Sequence, residues 1–224
     1  ITGITAANPV VVTAASHGFV NGDLVDIKDV LGMTEVNGNR YKVADKTTNT
    51  FELTNQTTGV DVNGTAYTAY DSVGKVRKGV TTITGLSHLE GSSVQIVGNG
   101  AVFPSATVTD GQVTTATEVS EAYVGLGYIT TIKPSRPEFG SPQGITQGKP
   151  KRWNHIFVRL VNTLGISING DQMPFRTSAD LLNSPPASFT GDKKVMNLGF
   201  DKDAFIEIKQ EQPLDMHVVA IGGD

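Results

Sequence analysis

Arg40-Tyr41-Lys42-Val43-Ala44 and Thr50-Phe51-Glu52-Leu53-Thr54 decide the fold. Apolar and polar side chains alternate in both, which is the period of a strand with one buried face. Tyr41, Val43, Phe51 and Leu53 are therefore predicted to point into a core. Residues 23–28 alternate as well, with Leu24 and Asp26 on one face and Val25 and Ile27 on the other. Residues 9–13 are β-branched, and residues 72–80 resume an extended pattern. Residues 1–79 thus hold five or six short strands and are predicted to form a small β-barrel module.

Turn residues punctuate this pattern along the whole chain. Asn-Gly occurs at 21–22, 37–38, 63–64, 99–100 and 169–170, with Asp110-Gly111 as a relative. Asn and Gly best tolerate the positive φ that both central residues of a type I′ turn require, so these pairs predict hairpins. Glycine is abundant for the same reason, at 25 of 224 residues; that is roughly 11% against a usual ~7%.

Beyond residue 80, strands are predicted at 92–97 and 101–103, at 106–109 and 112–114 across Asp110-Gly111, and at 118–124. Residues 133–150 carry Pro134, Pro137, Pro142 and Pro150 with Gly140, Gly144 and Gly148, and read as a long arm. Residues 152–161 favour a strand over a helix, because Ile156, Val158 and Val161 are β-branched. A second loop is expected at 183–194 around Pro185-Pro186, strands at 204–209 and 216–221, and one helical turn at 177–182. The predicted class is all-β: a small β-barrel (1–79) followed by a second β-barrel or sandwich unit (80–224) with long loops.

The chemistry-bearing residues are sparse. There is no cysteine, which excludes disulfides, thiolate metal sites and cysteine nucleophiles. The net charge is −4, so the chain as a whole is no polyanion binder on charge alone. No apolar run approaches the ~18 residues of a membrane span. Ile1-Thr2-Gly3 has neither a basic start nor an apolar run, so no secretory signal is expected. Nor does a Met open the chain, as expected of a piece of a longer protein.

His17, His88, His155 and His217 lack metal-ligand spacing and read as structural. Asp201, Asp203 and Glu207 resemble a calcium loop without its glycine or frame, and read as a turn. Glu118 with Glu121, or Asp23 with Asp26, are the available carboxylate pairs for glycoside hydrolysis, and a solvated strand face explains them as well. Gly125-Leu126-Gly127 is too short for a dinucleotide fingerprint. Asn55-Gln56-Thr57 and Asn63-Gly64-Thr65 match the glycosylation pattern but mean little without a secretory signal. One stretch is basic: Lys133, Arg136, Lys149, Lys151, Arg152 and Arg159 are opposed within it only by Glu138. These six are the candidate subunit or DNA contacts. No enzyme activity, cofactor, metal or small-molecule substrate is expected.

Two resemblances add to this reading. Residues 12–25, with Gly32-Met33-Thr34-Glu35-Val36-Asn37-Gly38 and Thr48-Asn49-Thr50-Phe51-Glu52-Leu53, resemble the small β-barrel named after the first catalytic cysteine half-domain of ubiquitin-activating enzymes. Without a cysteine, the resemblance implies fold and not ubiquitin chemistry. Such modules are also inserted into phage virion proteins. Residues 85–96, Tyr123-Val124-Gly125-Leu126-Gly127-Tyr128, residues 151–165, residues 174–178 and Phe189-Thr190-Gly191-Asp192 are similar to the later part of tail tubular or nozzle proteins of short-tailed phages. Gly-Leu-Gly-Tyr stands here in place of that family's Gly-Leu-Pro-Tyr. This second resemblance implies a structural tail component: a ring homo-oligomer, a hexamer, around a DNA exit channel. It would contact other tail proteins, pass DNA transiently, and reside in a virion assembled in the bacterial cytoplasm. The alternative is a host-surface or glycan-binding adhesion module of a tail fibre, its function carried by surface loops.

Overall fold

The alternating stretches become neighbouring strands of one antiparallel sheet. In a computed structural model the chain is described over residues 1–136, 140–141, 144–145, 148–178, 180, 185–196 and 199–224. The first strands are β1 (Gly3–Ile4), β2 (Val11–Thr13), β3 (Leu24–Lys28), β4 (Arg40–Ala44), β5 (Thr50–Asn55) and β6 (Lys75–Lys78). Their order is β1-β2-β5-β4-β3-β6, a sheet curled into a half-barrel. Register brings the predicted inward residues face to face: Val25 opposes Tyr41, Val43 opposes Leu53, and Phe51 opposes Val12. Val12, Val25, Ile27, Phe51 and Leu53 are fully buried, together with Met33 and Val36 at the 3-10 turn Thr34–Val36. Burial pushes the Tyr41 hydroxyl up to about 12.

Next come β7 (Val80–Ile83), β8 (Ser93–Gly98), β9 (Ala101–Thr107), β10 (Val113–Val119) and β11 (Ala122–Gly125). β7 pairs with β10, whereas β8 lies between β11 and β9 in a three-stranded sheet. The chain divides into two units, Ile1–Ser92 with Ala106–Tyr123 and Ser93–Ser105 with Val124–Asp224. Residues 80–92 and 106–123 therefore belong with the half-barrel, and the chain passes between units more than once. The strand predicted at 118–124 is broken at Ser120 and Glu121.

The second unit is completed by β12 (Thr130–Ile132), β13 (Gly140–Ser141), β14 (Gly144–Ile145), β15 (His155–Thr163), β16 (Ile166–Ile168), β17 (Asp171–Gln172), β18 (Phe189–Met196), β19 (Ile208–Gln210) and β20 (Val218–Gly223). Two of its sheets, β18-β15-β20 and β12-β19-β16-β17, share one core. Ile156, Val158 and Leu160 of β15 pack with Ile166 and Ile168 of β16 and Ile208 of β19, all fully buried. Much of the arm predicted at 133–150 lies outside the described residues, as does part of the helical turn predicted at 177–182. Within the arm, β13 and β14 pair as a small hairpin.

Three expectations are corrected. The second loop ends earlier than predicted, because Phe189–Met196 is a strand held along β15 from Phe189 opposite Thr163 to Met196 opposite His155. Thr190-Gly191-Asp192 reads as a turn in isolation; pairing with a long central strand overrides that preference. Residues 204–207 are irregular, and β19 begins only at Ile208. Finally, only half of the six turn pairs are hairpin turns with both residues at positive φ: Asn99-Gly100, Asp110-Gly111 and Asn169-Gly170. Asn37 instead uses its side chain, accepting from the Val30 N–H at 2.9 Å and donating to the Val30 carbonyl at 2.8 Å. Gly64 serves close packing, since a Cβ there would sit 2.4 Å from Val10 Cγ2.

Phe51→Ala is expected to destabilise the protein by about 3–5 kcal/mol in urea unfolding. Asn37→Ala is expected to cost about 1–3 kcal/mol, because it strands both polar groups of buried Val30. A loss under 1 kcal/mol in either would contradict the packing described.

Candidate functional site

Most of the six candidate cations already have partners in their own unit. Arg159, on β15, makes a bidentate pair with Asp192 of β18 at 2.8 and 2.9 Å. Arg136 reaches Asp203 at 3.1 Å. Lys133 lies 4.0 Å from Glu207 and 4.4 Å from the centre of the Phe205 ring. Arg152 covers the Phe200 ring at 5.0 Å. Lys151 exchanges backbone hydrogen bonds with Asp201, and Lys149 is exposed. Lys133, Arg136 and Lys151 thus gather along residues 201–207, whereas Arg159 belongs to a different sheet.

The same contacts account for the calcium-like pattern. Asp201 accepts from the Ala204 N–H at 2.8 Å, Asp203 holds Arg136, and Glu207 holds Lys209 at 2.8 Å. The Lys209 hydrogen bond is the main reason the Glu207 carboxyl lies below its usual range. Among the described residues no group of three or more His, Asp or Glu converges as a metal site.

In the first unit three of these four carboxylates, Asp23, Asp26 and Glu121, meet cations. Asp26 takes two hydrogen bonds from Arg40, at 2.9 and 2.7 Å, and both side chains are mostly buried. Burial alone would raise the Asp26 carboxyl, but hydrogen bonds from Arg40 and Ser120 bring it below the ordinary 3.8. Arg40 also donates to the Glu118 carbonyl at 2.9 Å, which ties β3 and β4 to the end of β10. Glu121 pairs with Lys28 at 2.8 Å and Arg77 at 3.4 Å, and Asp23 with Lys78 at 2.8 Å. Asp26, Asp29 and Glu121, with Lys28, Lys75 and Arg77, rim a cavity of about 270 Å³ in which three acids face three cations. Glu118 Oε2 is buried without a hydrogen-bond partner among the described residues.

Three of the four histidines make contacts within their own unit, and His88 is exposed. His17 accepts from the Phe19 N–H at Nδ1 (3.0 Å), leaving Nε2 to donate to the Thr50 carbonyl at 3.3 Å, and its ring meets Phe51 edge-on at 5.1 Å. His155 faces Asp224 at 2.9 Å, and His217 faces the Val161 carbonyl at 3.2 Å.

A larger cavity, about 390 Å³, lies wholly within the second unit. Alternation along β8 buries Val94 and Ile96 and turns Gln95 to the other face, where it enters the cavity wall. Gln210, on β19, is 4% exposed and forms the floor. Its amide is satisfied at both ends: Nε2 donates to the Leu164 carbonyl, and Oε1 accepts from the Gln212 N–H at 3.1 Å. Tyr128, Gln212, Asp215 and His217 complete the rim. Sequence motifs do not reveal this site, because it draws on three separated segments. The available signal is the loop 126–129, where Leu126, Tyr128 and Ile129 stand apolar and exposed beside two glycines.

By fold, then, the chain is built of antiparallel β modules, the first of them a curled six-stranded sheet. Residues 7–78 match the family model of the ubiquitin-activating enzyme E1 FCCH domain, a non-catalytic module of an enzyme family. The match covers about a third of the chain. It is to this family and not to a phage tail protein family, which overturns the reading of the chain as the C-terminal part of a tail tubular or nozzle protein. No curated protein matches the chain. Among the described residues no helix is long and apolar enough to cross a membrane.

Arg40→Ala removes the two guanidinium hydrogen bonds that the mostly buried Asp26 accepts. The expected cost is about 1–3 kcal/mol at pH 7, less than the ~3–5 of a fully buried pair. Because the folded-state Asp26 pKa is depressed, its stabilisation is complete above 3.8 and fades as pH falls through the lower folded value. The gap between wild type and variant is therefore expected to narrow below pH 4. A gap independent of pH in urea titrations would show that the pair is not its source.

Proposed function

We propose that this chain is a non-enzymatic structural component of a phage or prophage tail that associates with copies of itself and with other virion proteins. The observation that supports association with further copies most directly is the sheet β18-β15-β20. Its outer strands, eight and six residues long, have no further strand paired to them among the described residues. An edge of that length presents a row of backbone donors and acceptors for another chain to continue. The outer face of the same sheet carries Phe157, Met196 and Val219, respectively 43%, 58% and 63% exposed. Apolar residues together on an open sheet face favour a partner over water. Repetition of one such head-to-tail contact gives a ring where the rotation closes and a filament where it does not.

Light scattering on the purified chain tests the reading. Self-association at micromolar concentration is expected for the wild type, with Phe157→Lys and Val219→Lys shifting it to monomer while leaving Tm within a few degrees. A strictly monomeric wild type, or variants that assemble as well as it does, would count against this surface.

A further inference from the structure

The 390 Å³ cavity of the second unit supports a role beyond scaffolding. We propose that it binds the end of a neutral oligosaccharide. Its size falls at the lower end of the roughly 300–1,000 Å³ typical of small-ligand sites. A sugar presents two kinds of surface: hydroxyls, each both donor and acceptor, and a face of C–H groups. The cavity offers a match to each. Gln212 brings an amide that donates and accepts in one plane, Gln95 brings a second whose Nε2 also reaches the Glu211 carbonyl at 3.5 Å, and the Asp215 carboxylate can accept from paired hydroxyls. Gln212 and Asp215 are both exposed at the rim, where a ligand can reach them. Tyr128, 80% exposed at the rim, supplies a flat ring for the C–H face and a hydroxyl at its tip.

Two features set the class of ligand. No Lys or Arg is among the described residues of the wall, and the carboxylate of Asp215 repels anions, so sialylated or sulfated ends are disfavoured. The floor is also fixed in advance. Gln210 is held by the Leu164 carbonyl on one side and holds the Gln212 backbone on the other, so the rim segment is ordered before any ligand arrives. Gly165 lies under this rim: a Cβ there would stand 2.9 Å from Gln212 Oε1 and 3.0 Å from Leu214 Cδ1.

Saturation-transfer NMR on the whole chain, with lactose, maltose, chitobiose and sialyllactose as probes at millimolar concentration, tests the proposal. Transfer from at least one neutral disaccharide is expected. Its Kd is expected to rise at least about tenfold, near 1.4 kcal/mol, in Tyr128→Ala and in Gln212→Ala. Both side chains are exposed, so Tm is expected to stay unchanged and a loss of binding is not a loss of fold. Absence of transfer from all three neutral sugars, transfer from sialyllactose alone, or undiminished binding by both variants would overturn the assignment.

Discussion

Strand β15 places Ile156, Val158 and Leu160 on one side and Phe157 and Arg159 on the other, and it is the middle strand of its sheet. A slip of one residue against either neighbour would turn three fully buried aliphatics to solvent and bring a guanidinium inward. The second unit rests on that register. It sets the Arg159–Asp192 pair, aligns β18 despite its turn-like sequence, and gives the second sheet an apolar surface to cover. The first unit obeys the same constraint through Val25 opposite Tyr41 and Val43 opposite Leu53.

The facing of side chains, though not the pairing of strands, was legible where alternation was clean and local. All four inward residues of β4 and β5 are buried, as their spacing requires, and the all-β class follows from the same pattern. Turn chemistry was legible only in part. Asn-Gly signals a chain reversal, yet the fate of each pair depends on what lies across from it. Asn37 finds the Val30 backbone and Gly64 finds the Val10 side chain, and neither partner is visible from the dipeptide.

The candidate site was less legible because contacts distant in sequence decide it. The run of cations from 133 to 159 looks opposed only by Glu138 in linear order, since the acids it meets lie at 192, 203 and 207. The wall of the larger cavity likewise draws on residues near 95, 128 and 212. Glutamine and tyrosine carry no motif, and their convergence exists only after the strands have paired.

The neutralised cations bear on how the second unit meets other macromolecules. Each of Lys133, Arg136 and Arg159 sits within 4.0 Å of a carboxylate. Viewed from beyond a Debye length, about 8 Å at physiological ionic strength, such a pair is a small dipole and no longer a charge. A distant polyanion is therefore not drawn in by these three residues, and changing the salt alters its rate of encounter with them little. At these three positions contact is governed by short-range fit after diffusive collision.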